Sequence, residues 1–232
     1  MKLLLPALLL NAGCAAKDAE NPGADSEPDT AACTRGTLEG NANIHTASDL
    51  ASIVGYTAIN GGLTISDTSI DSLAGLECLT AVTGGLSIVE TDALLNLDGL
   101  RGLTQVAWIE IGGMSGDAEI RGNAALTNLD GLAGLTGAVE SIEIRYNDQL
   151  TDLDPLRGLS STAALSIGSN PSLADLNGLA TLSLTDPSAE LRIRDNAVLP
   201  TCAVEALLER FRSEGWVGEA VVSGNDDAAS CE

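Results

Sequence analysis

The sequence predicts a mainly β repeat protein, a solenoid of short strands and tight turns stacked around an aliphatic core. Three observations carry this. Similar segments recur at intervals of about 23 residues. The apolar residues are Leu, Ile, Val and Ala, and the 232 residues include only five aromatics, Tyr56, Trp108, Tyr146, Phe211 and Trp216. Twenty-five glycines supply the turns such a chain needs.

The repeat is clearest in LSIVETDALLNLDGLRGL (86–103), AEIRGNAALTNLDGLAGL (118–135), IEIRYNDQLTDLDPLRGL (142–159) and LSIGSNPSLADLNGLATL (165–182). LTISDTSIDSLAGLECL (63–79) is a shorter early copy. LRIRDNAVLPTC begins at 191 and AVVSGNDDAASC at 220, and NIHTASDL (43–50) reads as a degenerate first unit. Unit starts therefore fall at 63, 86, 118, 142, 165, 191 and 220. The long step from 86 to 118 predicts an insertion around Trp108–Gly116, and the step from 191 to 220 holds a helix.

Within a unit, L-x-I is a short strand whose alternate side chains point inward. Two residues after it stands Asn or Thr: Thr68, Thr91, Asn123, Asn147, Asn170, Asn196 and Asn225. L-x-x-L-x-G-L-x-x-L then brings further inward Leu, with a turn at Asp-Gly, Asn-Gly or Asp-Pro. No unit can bury its apolar side alone, so stacking must build the core. With five or so apolar side chains per unit, worth at most about 1.5–3 kcal/mol each, that core is ample. The Asn/Thr column is predicted to be structural, its side chains stacked unit over unit to satisfy turn backbone groups.

Val139, Ile142, Ile144 and Asn147 match the leucine-rich repeat pattern L-x-x-L-x-L-x-x-N. Leu150 follows one residue late, and L-D-G-L-x-x-L also departs from that pattern. Both departures resemble the receptor L domain of insulin- and EGF-receptor ectodomains, and bacterial lipoproteins built of the same repeat. The resemblance covers residues 36–231. It implies a right-handed, single-stranded parallel β-helix with short capping helices. It implies binding or adhesion only loosely, because a fold does not fix a function.

Residues 1–14, MKLLLPALLLNAGC, have a positive start at Lys2, a short apolar run Leu3–Leu10 and a small-residue cleavage site. They resemble a bacterial lipoprotein signal, which implies Cys14 as the lipidated mature N-terminus. Asn11 departs from the apolar residue usual three places before the Cys. An ordinary secretory signal cut near Ala15 or Ala16 is the alternative, and would give a secreted protein. Acyl chains would anchor the chain stably. Ala15 after the Cys, in lipoproteins of this kind, favours the outer membrane. Residues 15–32 are Ala, Asp, Glu and Pro without periodicity, an expected disordered tether spanning about 20–25 Å. No segment reaches the roughly 18 apolar residues of a spanning helix.

Two helices are expected. Val204, Leu207, Leu208 and Phe211 give helical spacing over 203–215, with Gly215 as the stop. SDLASIV (48–54) reads as a front cap, with Ser48 as N-cap. Besides Cys14 there are four cysteines, which allow three disulfide connectivities. Cys202 and Cys231 flank the C-terminal helix and make the favoured pair, which leaves Cys33 with Cys78. Buried free thiols are the alternative.

Thirty-three acidic residues face eleven basic ones, a net charge of −22. This argues against nucleic acid and against anionic lipid headgroups, so membrane contact is expected through the lipid anchor alone. No catalytic residue, metal site or cofactor is predicted. His45 is the sole histidine and reads as a surface residue. Asp98, Asp130 and Asp154 could pair as in glycoside hydrolysis, but they share one repeat position and read as turn residues. Gly224–Asp227 lacks calcium-loop spacing and reads as an end turn.

One surface feature stands apart. Outward strand positions include Glu119 and Arg121, Glu143 and Arg145, Arg192 and Arg194. This cationic strip on an acidic protein reads either as a recognition face for an anionic glycan or a protein, or as Glu–Arg pairs that only solubilise the sheet. The expectation is a monomeric, non-enzymatic cell-envelope protein whose solenoid binds or adheres. A purely structural protein and a β-helix polysaccharide-active enzyme are the alternatives.

Overall fold

The computed structural model describes residues 33–66, 69–113 and 122–231. Cys14, the 15–32 tether, Thr68, Glu119 and Arg121 lie outside them. All the described residues belong to one unit, Ala31–Glu232.

That unit is mainly parallel β-sheet with two helices. Its main strands are β2 (Ala42–Ile44), β4 (Leu63–Ser66), β6 (Leu86–Val89), β7 (Ile109–Gly112), β8 (Gly137–Arg145), β9 (Leu159–Gly168), β11 (Leu191–Arg194) and β12 (Ala220–Ser223). They join in the order β12-β11-β9-β8-β7-β6-β4-β2, so every strand pairs with those of the neighbouring repeats. All pairings are parallel, with Leu63 opposite Leu86, Leu86 opposite Ile109, Ile109 opposite Ile142 and Ile142 opposite Leu165. A second sheet holds β1 (Thr37–Glu39), β3 (Ala58–Asn60) and β5 (Ala81–Val82). β10 (Ser183–Leu184) pairs with the first half of β9.

One repeat boundary differs from the sequence reading. The strand between β6 and β8 is Ile109–Gly112, not the 118–121 segment. It lies 23 residues after Leu86, in step with the basic period, and its Ile109 and Ile111 are buried. The extra residues therefore follow this strand rather than precede it. Glu110 and Gly112 hold the sheet positions assigned from sequence to Glu119 and Arg121.

Inward rows run from repeat to repeat. Leu63, Leu86, Ile109, Ile142, Leu165 and Leu191 form one, and Ile44, Ile65, Ile88, Ile111, Ile144, Ile167 and Ile193 another, all at most 1% exposed. Leu97, Leu129, Leu153 and Leu176 add a third row. The predicted turns are short 3-10 helices, Asp98–Leu100, Asp130–Leu132, Asp154–Gly158 and Asn177–Leu179. In three of them the second residue is a glycine, Gly99, Gly131 or Gly178, that packs against the preceding repeat; the third turn has Pro155 there. A Cβ on Gly131 or Gly178 would sit 1.7 Å from the carbonyl oxygen of Leu97 or Leu153. Only glycine permits that approach.

Both ends are covered. Helix α1 (Ala47–Ile53) buries Leu50 and Ile53. Its N-cap is Thr46 rather than Ser48: the Thr46 hydroxyl accepts from the Asp49 N–H while the Asp49 carboxylate accepts from the Thr46 N–H, a reciprocal capping box. Helix α2 (Thr201–Ser213) starts two residues earlier than its apolar spacing indicates and buries Val204, Leu207, Leu208 and Phe211. Cys33 bonds Cys78 and Cys202 bonds Cys231, the pairs favoured from their positions. Two disulfides fit an oxidising, exported environment. Among the described residues no helix is long and apolar enough to cross a membrane.

Candidate functional site

The outward side of the main sheet is the site the sequence singles out. Strand alternation turns Leu and Ile inward and leaves two outward rows. The pairing register makes one row Asn43, Thr64, Ser87, Glu110, Glu143, Ser166, Arg192 and Val221. The other runs Ser66, Val89, Gly112, Arg145, Gly168, Arg194 and Ser223. Eight strands at about 4.8 Å spacing give a face about 34 Å across. Inward residues repeat, and outward residues do not.

The structure brings Glu143, Arg145, Arg192 and Arg194 onto this face. Each arginine meets a carboxylate of its own chain segment: Arg145 with Glu143, Arg192 with Glu190 at 2.6 Å, and Arg194 with Asp195 at 2.8 Å. None of these three pairs crosses between strands. Arg192 and Arg194 keep half and two-fifths of their side chains exposed (50% and 39%), so their pairs contribute little to stability. Arg145 is different. Its side chain is 13% exposed, it lies between Gly112 and Gly168 in its row, and its Nε is buried without a hydrogen-bond partner.

The Asn/Thr column lies at the end of the same strands and is buried from Thr91 to Asn196. Each Asn amide donates to the carbonyl of the second inward Ile one repeat back. Asn123 reaches Ile88 (2.9 Å), Asn147 Ile111 (3.1 Å), Asn170 Ile144 (2.9 Å), Asn196 Ile167 (3.3 Å) and Asn225 Ile193 (2.9 Å). Each side-chain oxygen accepts from the preceding column residue, as Asn123 does from the Thr91 hydroxyl (2.7 Å) and Asn170 from the Asn147 amide (3.0 Å). The residue before the column turns the chain with positive φ: Glu90 at 55°, Tyr146 at 60°, Ser169 at 55° and Asp195 at 60°. Gly224, before Asn225, makes the same turn at 66°, but Glu90, Tyr146 and Ser169 are residue types that rarely adopt it, so the sequence signal is faint.

Sequence reasoning also missed a second polar column. Asn96, Asn128, Asp152 and Asp175 each accept, through the side chain, from the backbone N–H two residues on, which opens the 3-10 turn. The signal was present as [N/D]-L-[D/N]-[G/P]-L. Asp98 and Asp154 bind Arg101 and Arg157 three residues later, at 2.9 and 2.7 Å. The Asp226 carboxylate accepts from the Ala228 and Ala229 N–H groups, and Asp227 accepts from the Thr201 hydroxyl.

His45 is exposed, its Nδ1 3.1 Å from the Ser66 carbonyl oxygen. Hydrogen bonds from the Thr46 hydroxyl and the His45 N–H hold the Asp49 carboxyl below its usual pKa, and bonds from Ser188 do the same for Asp186. Among the described residues no three His, Cys, Asp or Glu side chains gather as a metal site. Two grooves lie among the described residues. One of about 320 Å³ lies between Ala81–Thr83, Gln105–Ala107 and Thr136–Ala138. The other, about 460 Å³, lies between α2 and β12. No protein-family model matches the chain, and comparison with curated proteins finds no relative.

Proposed function

We propose that this chain is an exported lipoprotein, anchored through Cys14, whose repeats coil as a right-handed single-stranded parallel β-helix of the receptor L-domain kind. It acts without catalysis, as a recognition or adhesion module of the cell envelope, through the outward face of its main sheet. One observation carries the functional part. The inward rows are nearly uniform Leu and Ile, whereas the outward rows change from Thr and Ser through Glu to Arg across eight aligned strands. The fold fixes the inside and leaves this face free to specify a partner, a protein or an anionic glycan.

The own-segment pairs of Arg145, Arg192 and Arg194 favour a second reading, an envelope protein with a structural role and a merely solubilised sheet. A glycan array and a pull-down from envelope extract, run with the full-length protein and an Arg145→Ser/Arg192→Ser/Arg194→Ser variant, separate the two. A ligand kept by the wild type and lost by a variant of equal melting point supports recognition. Retention of no ligand by either supports the structural role.

A further inference from the structure

The chain has two tryptophans, and they are used differently. Trp216 is 4% exposed in the core, with its Nε1–H donating to the Ala189 carbonyl at 2.8 Å. Trp108 is only half-buried and stands outside the hydrophobic core cluster. It immediately precedes β7, so alternation turns it outward beside Glu110. The pairing of Leu86 with Ile109 places it over Gly85.

Its indole lies flat there. A Cβ built on Gly85 would meet Trp108 Cε2 at 1.9 Å, Cδ2 at 2.1 Å and Cζ2 at 2.2 Å. Three bonded ring atoms at nearly one distance mean that the Gly85 substituent direction points into the ring face, not at its edge. One face therefore covers the backbone and the opposite face is turned outward. Gly85 is the residue that admits the ring. Two residues along both strands, the Ser87 hydroxyl donates to Glu110 Oε2 at 2.7 Å. A flat aromatic shelf thus adjoins a carboxylate and a hydroxyl, about 6.5 Å away along the strand.

We infer that Trp108, Glu110 and Ser87 form a saccharide subsite that takes a neutral pyranose ring. This deepens the recognition-face reading and rests on it. The chemistry matches part by part. A pyranose has an apolar C–H face that stacks on an indole, and hydroxyls around its edge that donate to a carboxylate. Glu110 stands opposite Glu143 across the strands, and two carboxylates against the one guanidinium of Arg145 leave the subsite net negative, which disfavours an anionic ring. The base of a nucleotide would bring phosphate with it, which the net charge of −22 disfavours. Arg192 and Arg194 lie three strands away on β11, whereas Arg145 stands on the adjacent β8, paired with Glu143.

The test is intrinsic fluorescence of the full-length protein titrated with malto-, cello-, manno- and chito-oligosaccharides. The buried Trp216 is a constant background, so a change in emission reports Trp108. One of these series should shift the emission saturably. Trp108→Ala should weaken its binding about tenfold or more, read by calorimetry. Glu110→Ala should weaken it roughly three- to tenfold. Trp108→Phe, which keeps a smaller shelf over Gly85, should bind within a few-fold of the wild type at an unchanged melting point, and so guards against a folding defect. Binding to no series, or equal binding by Trp108→Ala, overturns the subsite. If an envelope ligand is meanwhile lost in the triple arginine variant but held by Trp108→Ala, the recognition face stands and the subsite alone falls. If neither ligand is held, both fall.

Discussion

Asn147→Ala tests the buried amide column at its centre. Asn147 is fully buried, and its amide donates to the carbonyls of Ile111 and Arg145 and to Asn170 Oδ1, each at 3.0–3.1 Å. Its own oxygen accepts from Asn123 at 3.0 Å. Alanine removes all four contacts at once. Asn123 keeps its bond to Ile88, and Asn170 Oδ1 keeps the Asn147 backbone N–H, so neither is orphaned outright. The Ile111 carbonyl loses its side-chain donor, and one Asn123 amide hydrogen is left without a partner. At about 1–3 kcal/mol per stranded buried group, the loss sums to about 3 kcal/mol. In a domain of this size that is a fall in Tm of about 6–12 °C. Chemical denaturation with an unchanged m-value would show that the native state weakened rather than the unfolded state expanding. Asn225 closes the column half-buried, so Asn225→Ala should cost well under half as much. A Tm for Asn147→Ala within 2 °C of the wild type, or equal losses at the two positions, would refute the reasoning.

Gly131→Ala forces a Cβ to 1.7 Å from the Leu97 oxygen, so two repeats must part; unfolding experiments should show a loss of about 3 kcal/mol or more. The Asp49 carboxyl should titrate below 3.8 by NMR. Because its folded pKa is the lower one, the α1 capping box supports the fold above the unfolded pKa and loses that support as pH falls through the folded value; a titration at or above 3.8 contradicts this. Replacing Cys202 and Cys231 together by Ala opens a 29-residue separation and should cost about 2–4 kcal/mol under oxidising conditions, with no change under reducing ones. Cys14→Ala should move the protein from the membrane fraction to the soluble one on cell fractionation, and continued anchoring would refute lipidation.

Stacking of the units could be read from the repeat, and the parallel order from the resemblance that the repeat carries. A 23-residue step with L-x-I, Asn and L-D-G-L at fixed places leaves each unit one apolar side, and only neighbouring units can cover it. The helix read over 203–215, observed over 201–213, and the Cys202–Cys231 pair were legible from local signals, helical spacing and flanking cysteines, and Cys33–Cys78 followed by elimination. Three things waited for the tertiary structure. IEIG at 109–112 and AEIR at 118–121 are both plausible strands locally, and only the sheet decides that Ile109 stands between Leu86 and Ile142. Thr46 prevails over Ser48 as helix cap because the Asp49 carboxylate must reach back to it. The arginines of the outer face find carboxylates in their own segments, at Glu143, Glu190 and Asp195, and Trp108 finds a glycine from the previous repeat to lie on. A repeat fixes which residues point inward. What outward side chains touch depends on register between repeats, which no single unit contains.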